Sequence, residues 1–309
     1  MPLFRKRPTG EAEPDQALTF LSAAQAAGVR TLVRQAFAEL GIEVTVLAGH
    51  VIDDAGRQFG LWNVAAACHQ DGRGRRAWPK IVRHHVRQVL DSVETDPFAE
   101  LTLPQAAERT FARLYEADTV SDADAVCHRP FAPGLVELLA LDLPETVAVY
   151  PVEDARRLGG EDVLRAHGLM NLRREGGARL ERLPGDGGGS FHLLLGESVH
   201  TASKALLAPG LFTELTGEEP GEFGWLLSVP NRHQLVWHLV RDIEVIPALR
   251  GMFRFTVLGH GDTPGPLSPH VYWWTNGRYQ QLTRIDPDGT LSVHVGAEFA
   301  DVLEVLARR

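Results

Sequence analysis

The spacing of apolar residues in the first third of the chain changes from a helical to an alternating pattern. Leu21, Leu32 and Phe37 belong to a series with a period of about 3.6 residues, which predicts a helix that ends at Gly41. Residues 42–47 then alternate and are rich in β-branched side chains, which predicts a strand. The same two periodicities predict further strands at 50–52 and 57–60 and helices at 61–69 and 78–93. Together these elements define a small N-terminal unit over residues 16–93.

Strand patterns dominate the rest of the chain, with helical patterns between them. Strands are predicted at 110–117, 145–150, 179–183, 191–195, 225–229, 235–240, 271–274, 279–283 and 291–294, and helices at 152–158, 162–173, 200–215, 243–258 and 297–306. The mixture is typical of an α+β fold with mostly antiparallel sheets and packed helices. We therefore predict a larger α+β domain over residues 105–309, joined to the first unit by a linker at 94–104. Residues 1–15 are rich in proline, glycine and charge and are predicted to form a disordered arm.

Composition and charge narrow the expected cellular compartment and the expected class of partner. The chain has 309 residues and two cysteines, Cys68 and Cys127, without the spacing of a disulfide framework, which favours the reducing cytoplasm. No apolar run approaches the ~20 residues that a membrane span needs, and no secretory signal is recognised at the start. The net charge of −9 arises beyond residue 104, because acidic and basic side chains balance before it. An acidic larger domain argues against a nucleic-acid partner.

Four segments, taken in order, carry a family resemblance. They are the helix with Ala166–Arg173, the pairs Ala202-Ser203 and Leu206-Leu207, the run Ser228–Leu235, and Pro266–Ser268 before Val271–Trp274. Over residues 108–282 this order resembles the uncharacterised bacterial YtpQ-like proteins. His233 stands where the family pattern Val-Pro-x-x-Asp-x-Leu has its aspartate. The resemblance implies a shared fold and a cytosolic location, and it implies no activity.

Motifs for metal binding and for nucleophilic catalysis are not recognised in the sequence. The neighbouring histidines His84 and His85 diverge by about 100° on a helix, and no Cys-x-x-Cys or His-Glu-x-x-His occurs. The run Gly196–His200 lacks the second glycine of a nucleophile elbow. We therefore expect no catalytic residues, no metal and no cofactor.

A basic cluster lies within the helix predicted at 78–93. Arg83 and Arg87 share one helical face with Lys80 and His84, and Arg73 precedes them. The cluster is an alternative site for a nucleic acid or another anion, and its simpler interpretation is a solvated helix face.

The preferred interpretation is a cytosolic, non-catalytic binding or regulatory protein with a protein partner. Its expected contact surface combines two loops and an aromatic strand, with Asn231, Arg232, Ser268, His270 and Trp274. The alternative is a hydrolase or transferase that uses His260 and Asp262 in the glycine-rich loop 259–266. An enzyme would bring such groups together in a concave pocket, whereas a binding protein would show a groove or patch.

Overall fold

A computed structural model of the chain describes residues 14–15, 17–18, 20–54, 57–94, 96–120, 122–143, 147–262, 265–286 and 291–309. The predicted arm at 1–15 lies outside this part of the chain except for residues 14 and 15. The chain divides into two compact units, Met1–Thr95 and Asp96–Arg309. Helices pack with antiparallel sheets in both, so the predicted α+β class is confirmed.

Three helices and a small antiparallel sheet form the described part of the first unit. Its elements are α1 (Ala23–Ala38), β1 (Val44–Val46), β2 (His50–Asp53), β3 (Gln58–Gly60), α2 (Trp62–Gln70), a 3₁₀ turn (Gly74–Arg76) and α3 (Trp78–Glu94). The strands pair in the order β1-β2-β3. Ser22 and Gln25 cap the start of α1 reciprocally, since the backbone N–H of each donates to the side chain of the other. The apolar faces of α1 and α3 bury Val33, Phe37 and Val86 in one core.

The second unit contains the remaining helices and strands. They are α4 (Leu103–Arg109), β4 (Thr110–Glu116), β5 (His128–Ala132), β6 (Leu135–Asp142), β7 (Val147–Val149), α5 (Val152–Arg157), α6 (Glu161–Arg174), β8 (Arg179–Pro184), β9 (Ser190–Leu195), α7 (Gly210–Thr216), β10 (Trp225–Ser228), β11 (Gln234–Leu239), α8 (Val245–Asp262), β12 (Val271–Thr275), β13 (Arg278–Gln281), β14 (Thr283–Ile285), β15 (Leu291–Val293) and α9 (Ala297–Ala307). Short 3₁₀ turns lie at Ala117–Thr119, Ala123–Ala125 and Ala202–Leu207. None of the helices within the described ranges is long and apolar enough to cross a membrane.

Two main sheets organise the described part of this unit, beside a two-stranded sheet of β14 and β15. The larger main sheet runs in the order β13-β12-β10-β11-β9-β8, and the smaller one in the order β4-β6-β5, with β7 also paired to β6. Side chains cover both faces of the larger sheet: Trp273 packs against Phe299 on one face, and Trp274 stacks on Trp225 on the other. The two tryptophans therefore belong to opposite layers of the packed unit.

The predicted linker at 94–104 is corrected by the packing of its described residues. Phe98 and Leu101 are buried in the core of the second unit, and the ring of Phe98 contacts that of Tyr150. Helix α4 already begins at Leu103. Apolar side chains in this segment pack into the core of the second unit, so most of the segment belongs to that unit and is not a linker.

Candidate anion-binding site

The alternation of β4 places an arginine between two aromatic residues on one face of the smaller sheet. Phe111, Arg113 and Tyr115 lie on this face, whereas the intervening Ala112 and Leu114 are buried in apolar cores. On the Ala112 side the helix α6 comes very close, and its Gly168 faces the backbone of Ala112. The packed helix therefore fixes the strand, and the strand directs Arg113 to the opposite side.

Arg113 is a buried cation whose charge is incompletely balanced. Its residue surface is 8% exposed, and its Nη1 atom has no hydrogen-bond partner in the described part of the chain. The nearest carboxylate oxygen is Oδ1 of Asp142, at 3.8 Å from Nη1. The guanidinium carbon also lies 5.5 Å from the centre of the Tyr115 ring. A buried guanidinium N–H without an acceptor is costly, so this geometry favours an added anion.

Asp142, at the end of β6, is held by several cationic or donor groups. His200 Nε2 lies 3.3 Å from Oδ2 of Asp142, and Arg109 Nε donates to the backbone oxygen of Asp142. Burial alone raises the pKa of Asp142. The hydrogen bond from His200 and the charges of His200, Arg113 and Arg109 outweigh this effect, and the pKa lies below its usual value. The ionised form of Asp142 is therefore favoured, and its carboxylate interacts with both His200 and Arg113.

His200 closes one side of this cluster. Its ring stacks on Phe111 with the ring centres 4.0 Å apart and the planes 9° from parallel. The residue is 3% exposed, and its Nδ1 atom has no hydrogen-bond partner among the residues that the structure describes. The His200–Asp142 pair thus lacks a hydroxyl or thiol on the free nitrogen, which a nucleophilic triad needs.

Arg232 brings a second cation toward Arg113. It is half-buried, and its Nε lies 3.2 Å from Nε2 of His233. Burial lowers the pKa of the Arg232 guanidinium, and the nearby charge of Arg113 lowers it further. Within the described ranges no carboxylate forms an ion pair with Arg232. The side chain of Arg232 packs on Gly265. Gly265 has a φ of +71°, which favours glycine at this position.

An apolar cavity of about 500 Å³ lies on the face of the smaller sheet that carries Arg113. It is lined by Tyr115, Thr119, Val120, Asp122, Val126, Leu138 and Val149. Leu138 lies directly opposite Arg113 in the β4–β6 pairing, and Tyr115 is the next residue on the same face of β4. We call this cavity the valine groove. A volume of this size is typical of sites for small ligands or single side chains.

The structure places two of the predicted surface residues in the interior. Asn231 is fully buried, and its side-chain amide donates to Gln234 Oε1 and to the carbonyl of Gly259. Ser268 is 3% exposed, and its hydroxyl lies 2.7 Å from that of Tyr272. The prediction that both line a contact surface is therefore wrong, because each hydroxyl or amide satisfies an internal partner.

His270 and Trp274 are half-buried and also have internal partners. His270 Nδ1 lies 3.1 Å from Oγ1 of Thr283. The indole of Trp274 stacks on Trp225 at 4.1 Å between ring centres. Of the predicted contact residues, Arg232 carries a fixed charge, has no ion-pair partner among the described residues, and is influenced by the charge of Arg113.

The predicted glycine-rich loop at 259–266 is partly helical. Residues 259–262 form the last turn of α8, and residues 263 and 264 lie outside the described part. Burial lowers the pKa of both His260 and His270, and the nearby charge of His260 lowers that of His270 further. Among the described side chains, which do not include that of Asp262, neither imidazole is paired with a carboxylate.

The basic cluster on α3 is partly neutralised by acidic neighbours. Arg83 Nε donates to the carboxylate of Glu39 at 2.8 Å, and Arg73 is paired with Asp71 at 2.6 Å. Arg87 is exposed on the same surface. These side chains are solvated, and two of them already form ion pairs. The cluster therefore resembles an ordinary solvated helix surface more than a preformed anion-binding site.

Sequence reasoning did not single out Arg113, Asp142 or His200. Arg113 lies in a strand that was predicted, but an arginine in an alternating strand normally faces solvent. The available signal was the order Phe111-x-Arg113-x-Tyr115, which puts a cation between two aromatic rings on one face. The approach of Asp142 and His200 depends on pairing across distant segments, which periodicity does not report.

No three metal-ligating side chains are grouped in the part of the chain that the structure describes. Comparisons with models of protein families, with curated proteins and with solved structures give no match for this chain. We therefore base the proposed function on the geometry around Arg113.

Proposed function

We propose that the chain is a non-catalytic binding protein whose larger unit holds an anionic group of a protein partner between Arg113 and Arg232. The observation that carries this proposal is the buried Nη1 of Arg113, which has no acceptor among the described residues. Two neighbouring guanidinium groups repel each other in a poorly solvated site, and a bound anion relieves that repulsion. The planar fork of each guanidinium suits carboxylate and phosphate oxygens.

A binding role is favoured over a catalytic one by the chemistry around the site. His200 and Asp142 form a pair without a nucleophile on the free imidazole nitrogen. Both cysteines are free and buried, and burial raises the pKa of each thiol to about 11, which disfavours the reactive thiolate. Free, unreactive thiols also support a cytosolic location. Relationship to the YtpQ-like proteins is part of the same proposal and rests on the order of their shared segments.

The test is thermal unfolding in the presence of sodium acetate, with the Arg232→Gln variant alongside the natural chain. A ligand that binds only the folded state raises the melting temperature in a concentration-dependent way. We expect acetate to stabilise the natural chain saturably and to stabilise Arg232→Gln much less. Arg83→Gln is the matched control, because Arg83 is exposed and paired with Glu39. Equal stabilisation of all three proteins would refute the proposal.

A further inference from the structure

We infer that the anionic group is the C-terminal carboxylate of a partner chain whose last residue is apolar, with that side chain in the valine groove. The inference rests on the proposed function, because it names the ligand of the same site. It depends on a second observation, the position of the valine groove relative to Arg113. The groove and Arg113 share one face of the smaller sheet.

A charged group and an apolar surface lie next to each other at this site. Leu138 lies opposite Arg113 across the strand pair, and Tyr115 both contacts the guanidinium and lines the groove. A ligand must therefore present an acid directly beside an apolar group. The last residue of a peptide has this arrangement, since its carboxylate and its side chain are attached to the same Cα. Aspartate and glutamate side chains carry their acid at the tip, without an apolar group beside it.

The charge of the site favours a monoanion over a dianion. Asp142 already faces Arg113 at 3.8 Å, and Arg109 is directed at the backbone oxygen of Asp142. The desolvation free energy of an ion rises with the square of its charge, whereas its attraction to fixed cations rises only linearly. A carboxylate therefore enters this poorly solvated site at a smaller cost than a phosphate dianion, and Asp142 repels it less.

The rim of the groove favours a peptide over a simple alkyl acid. Thr119 and Asp122 are exposed at the rim and carry oxygen atoms that accept hydrogen bonds. A peptide backbone offers N–H donors to such atoms, and an alkyl chain does not. The remaining lining residues, Val120, Val126 and Val149, are half-buried and provide apolar contact for one side chain. Capture of a chain terminus by fixed donors is a known mode of peptide recognition.

The experiment measures fluorescence anisotropy of a labelled hexapeptide that ends in Leu-Val-Leu, as the free acid and as the C-terminal amide. We expect the amide to bind the full-length protein at least tenfold more weakly, because it lacks the charge that Arg113 and Arg232 attract. A free-acid peptide that ends in glycine is the matched control for the groove and is expected to bind several-fold more weakly.

Two variants separate the parts of the site. Arg232→Gln is expected to reduce the preference for the free acid over the amide. Val149→Thr has nearly the same shape and is expected to weaken binding of the Leu-Val-Leu peptide. A groove that does not contribute would leave the peptide affinity of Val149→Thr equal to that of the natural chain.

The outcomes distinguish the inference from the proposed function. Equal binding of acid and amide, tighter binding of a phosphonate-terminated analogue, or tighter binding of decanoate would each overturn the inference. If acetate stabilises the protein but the peptide shows no preference for the free acid, the inference fails and the proposed anion site stands. If neither acetate nor peptide depends on Arg232, both fail.

Discussion

A Cβ atom placed on Gly168 of α6 would lie 2.7 Å from the backbone nitrogen of Ala112 on β4. Helix backbone and strand backbone are therefore in direct contact, with room for hydrogen only. Ala112 immediately precedes Arg113, so this contact helps to set the position of the strand that carries the buried cation.

The first prediction concerns this contact. Gly168→Ala adds a methyl group that the strand backbone cannot avoid, and overpacking of this kind costs about 1–3 kcal/mol. The intrinsic helix preference of alanine, about 1 kcal/mol over glycine, offsets only part of this cost. We expect a lower free energy of unfolding, measured by urea denaturation.

The matched control is a second helical glycine, Gly28 of α1. A Cβ there would meet only the ring of Trp78 at 3.8 Å, which is an ordinary van der Waals contact. Gly28→Ala is expected to stabilise the protein by about 0.5–1 kcal/mol. Changes of the same sign in both variants would contradict the account of the Gly168 contact.

The second prediction concerns Lys204, which lies outside α6 and caps the carbonyl groups at its C-terminal end. Its Nζ donates to the carbonyl oxygens of Leu172 and Glu175, both at 2.7 Å, and the residue is 5% exposed. Burial lowers the pKa of the Lys204 ammonium. Lys204→Met keeps the length of the side chain but leaves the two carbonyls without this donor, at a cost of about 2 kcal/mol in unfolding free energy.

Lys80 provides the comparison for Lys204, because it is exposed on α3. Lys80→Met is expected to change the unfolding free energy by less than about 0.5 kcal/mol. A loss for Lys204→Met no larger than this would show that its two hydrogen bonds do not stabilise the helix end.

The third prediction is a loss of stability in mild acid that involves His238. Its Nδ1 lies 2.7 Å from the carbonyl oxygen of Ser190. Burial lowers the pKa of His238 below the usual 6.5, although the bond to Ser190 and nearby carboxylates raise it in part. The unfolded chain therefore binds the proton first as pH falls. The stability contribution is complete above pH 6.5 and decreases as pH falls below that value.

The measurement is the urea midpoint at about pH 7.5 and about pH 5.5, in the natural chain and in His238→Asn. Asparagine preserves a side-chain N–H near the position of Nδ1 and does not titrate. We expect a smaller loss of stability in the variant. Burial also lowers the pKa of His192, His233, His260 and His270, so part of the pH dependence remains. An unchanged difference between the two pH values would exclude His238 as a contributor.

The fourth prediction concerns the ion pair of Asp15 and Arg30 in the first unit. Both guanidinium nitrogens Nη1 and Nη2 donate to the carboxylate, at 2.9 and 2.7 Å. The hydrogen bonds from Arg30 lower the pKa of Asp15 to about 2. The stabilisation is present above the ordinary value of 3.8 and is lost as pH falls from there toward 2. Arg30→Met should lower stability by about 1 kcal/mol at neutral pH and by less near pH 2. The same deficit at both pH values would contradict the assigned ion pair.

Helix α3 was predictable from its clear period, whereas strand β6, which is buried along most of its length, was not. Helix α3 was expected at 78–93 because Val82, Val86 and Leu90 recur on one face, and these side chains are buried. Strand β6 was not predicted, since residues 138–141 are all buried and show no alternation. A continuous apolar run specifies burial without specifying helix or strand.

The candidate site was predictable only in part for a related reason. Arg232 was identified from the unusual loop that carries it. Arg113 was not, because its burial depends on segments about 90 to 120 residues further along the chain, around His200 and Arg232. Local patterns report the face of a strand, whereas the neighbours that remove water from that face are set by tertiary packing.

Anomalous diffraction from a crystal of the full chain soaked in bromide tests the central claim most directly. Bromide is a monoanion that scatters strongly enough to be distinguished from water. The account predicts a bromide peak within hydrogen-bond distance of Arg113 Nη1 and close to Arg232, and no such peak in crystals of Arg232→Gln. An ordered water or a protein oxygen bonded to Arg113 Nη1, with no bromide at that position, would contradict the proposed anion site.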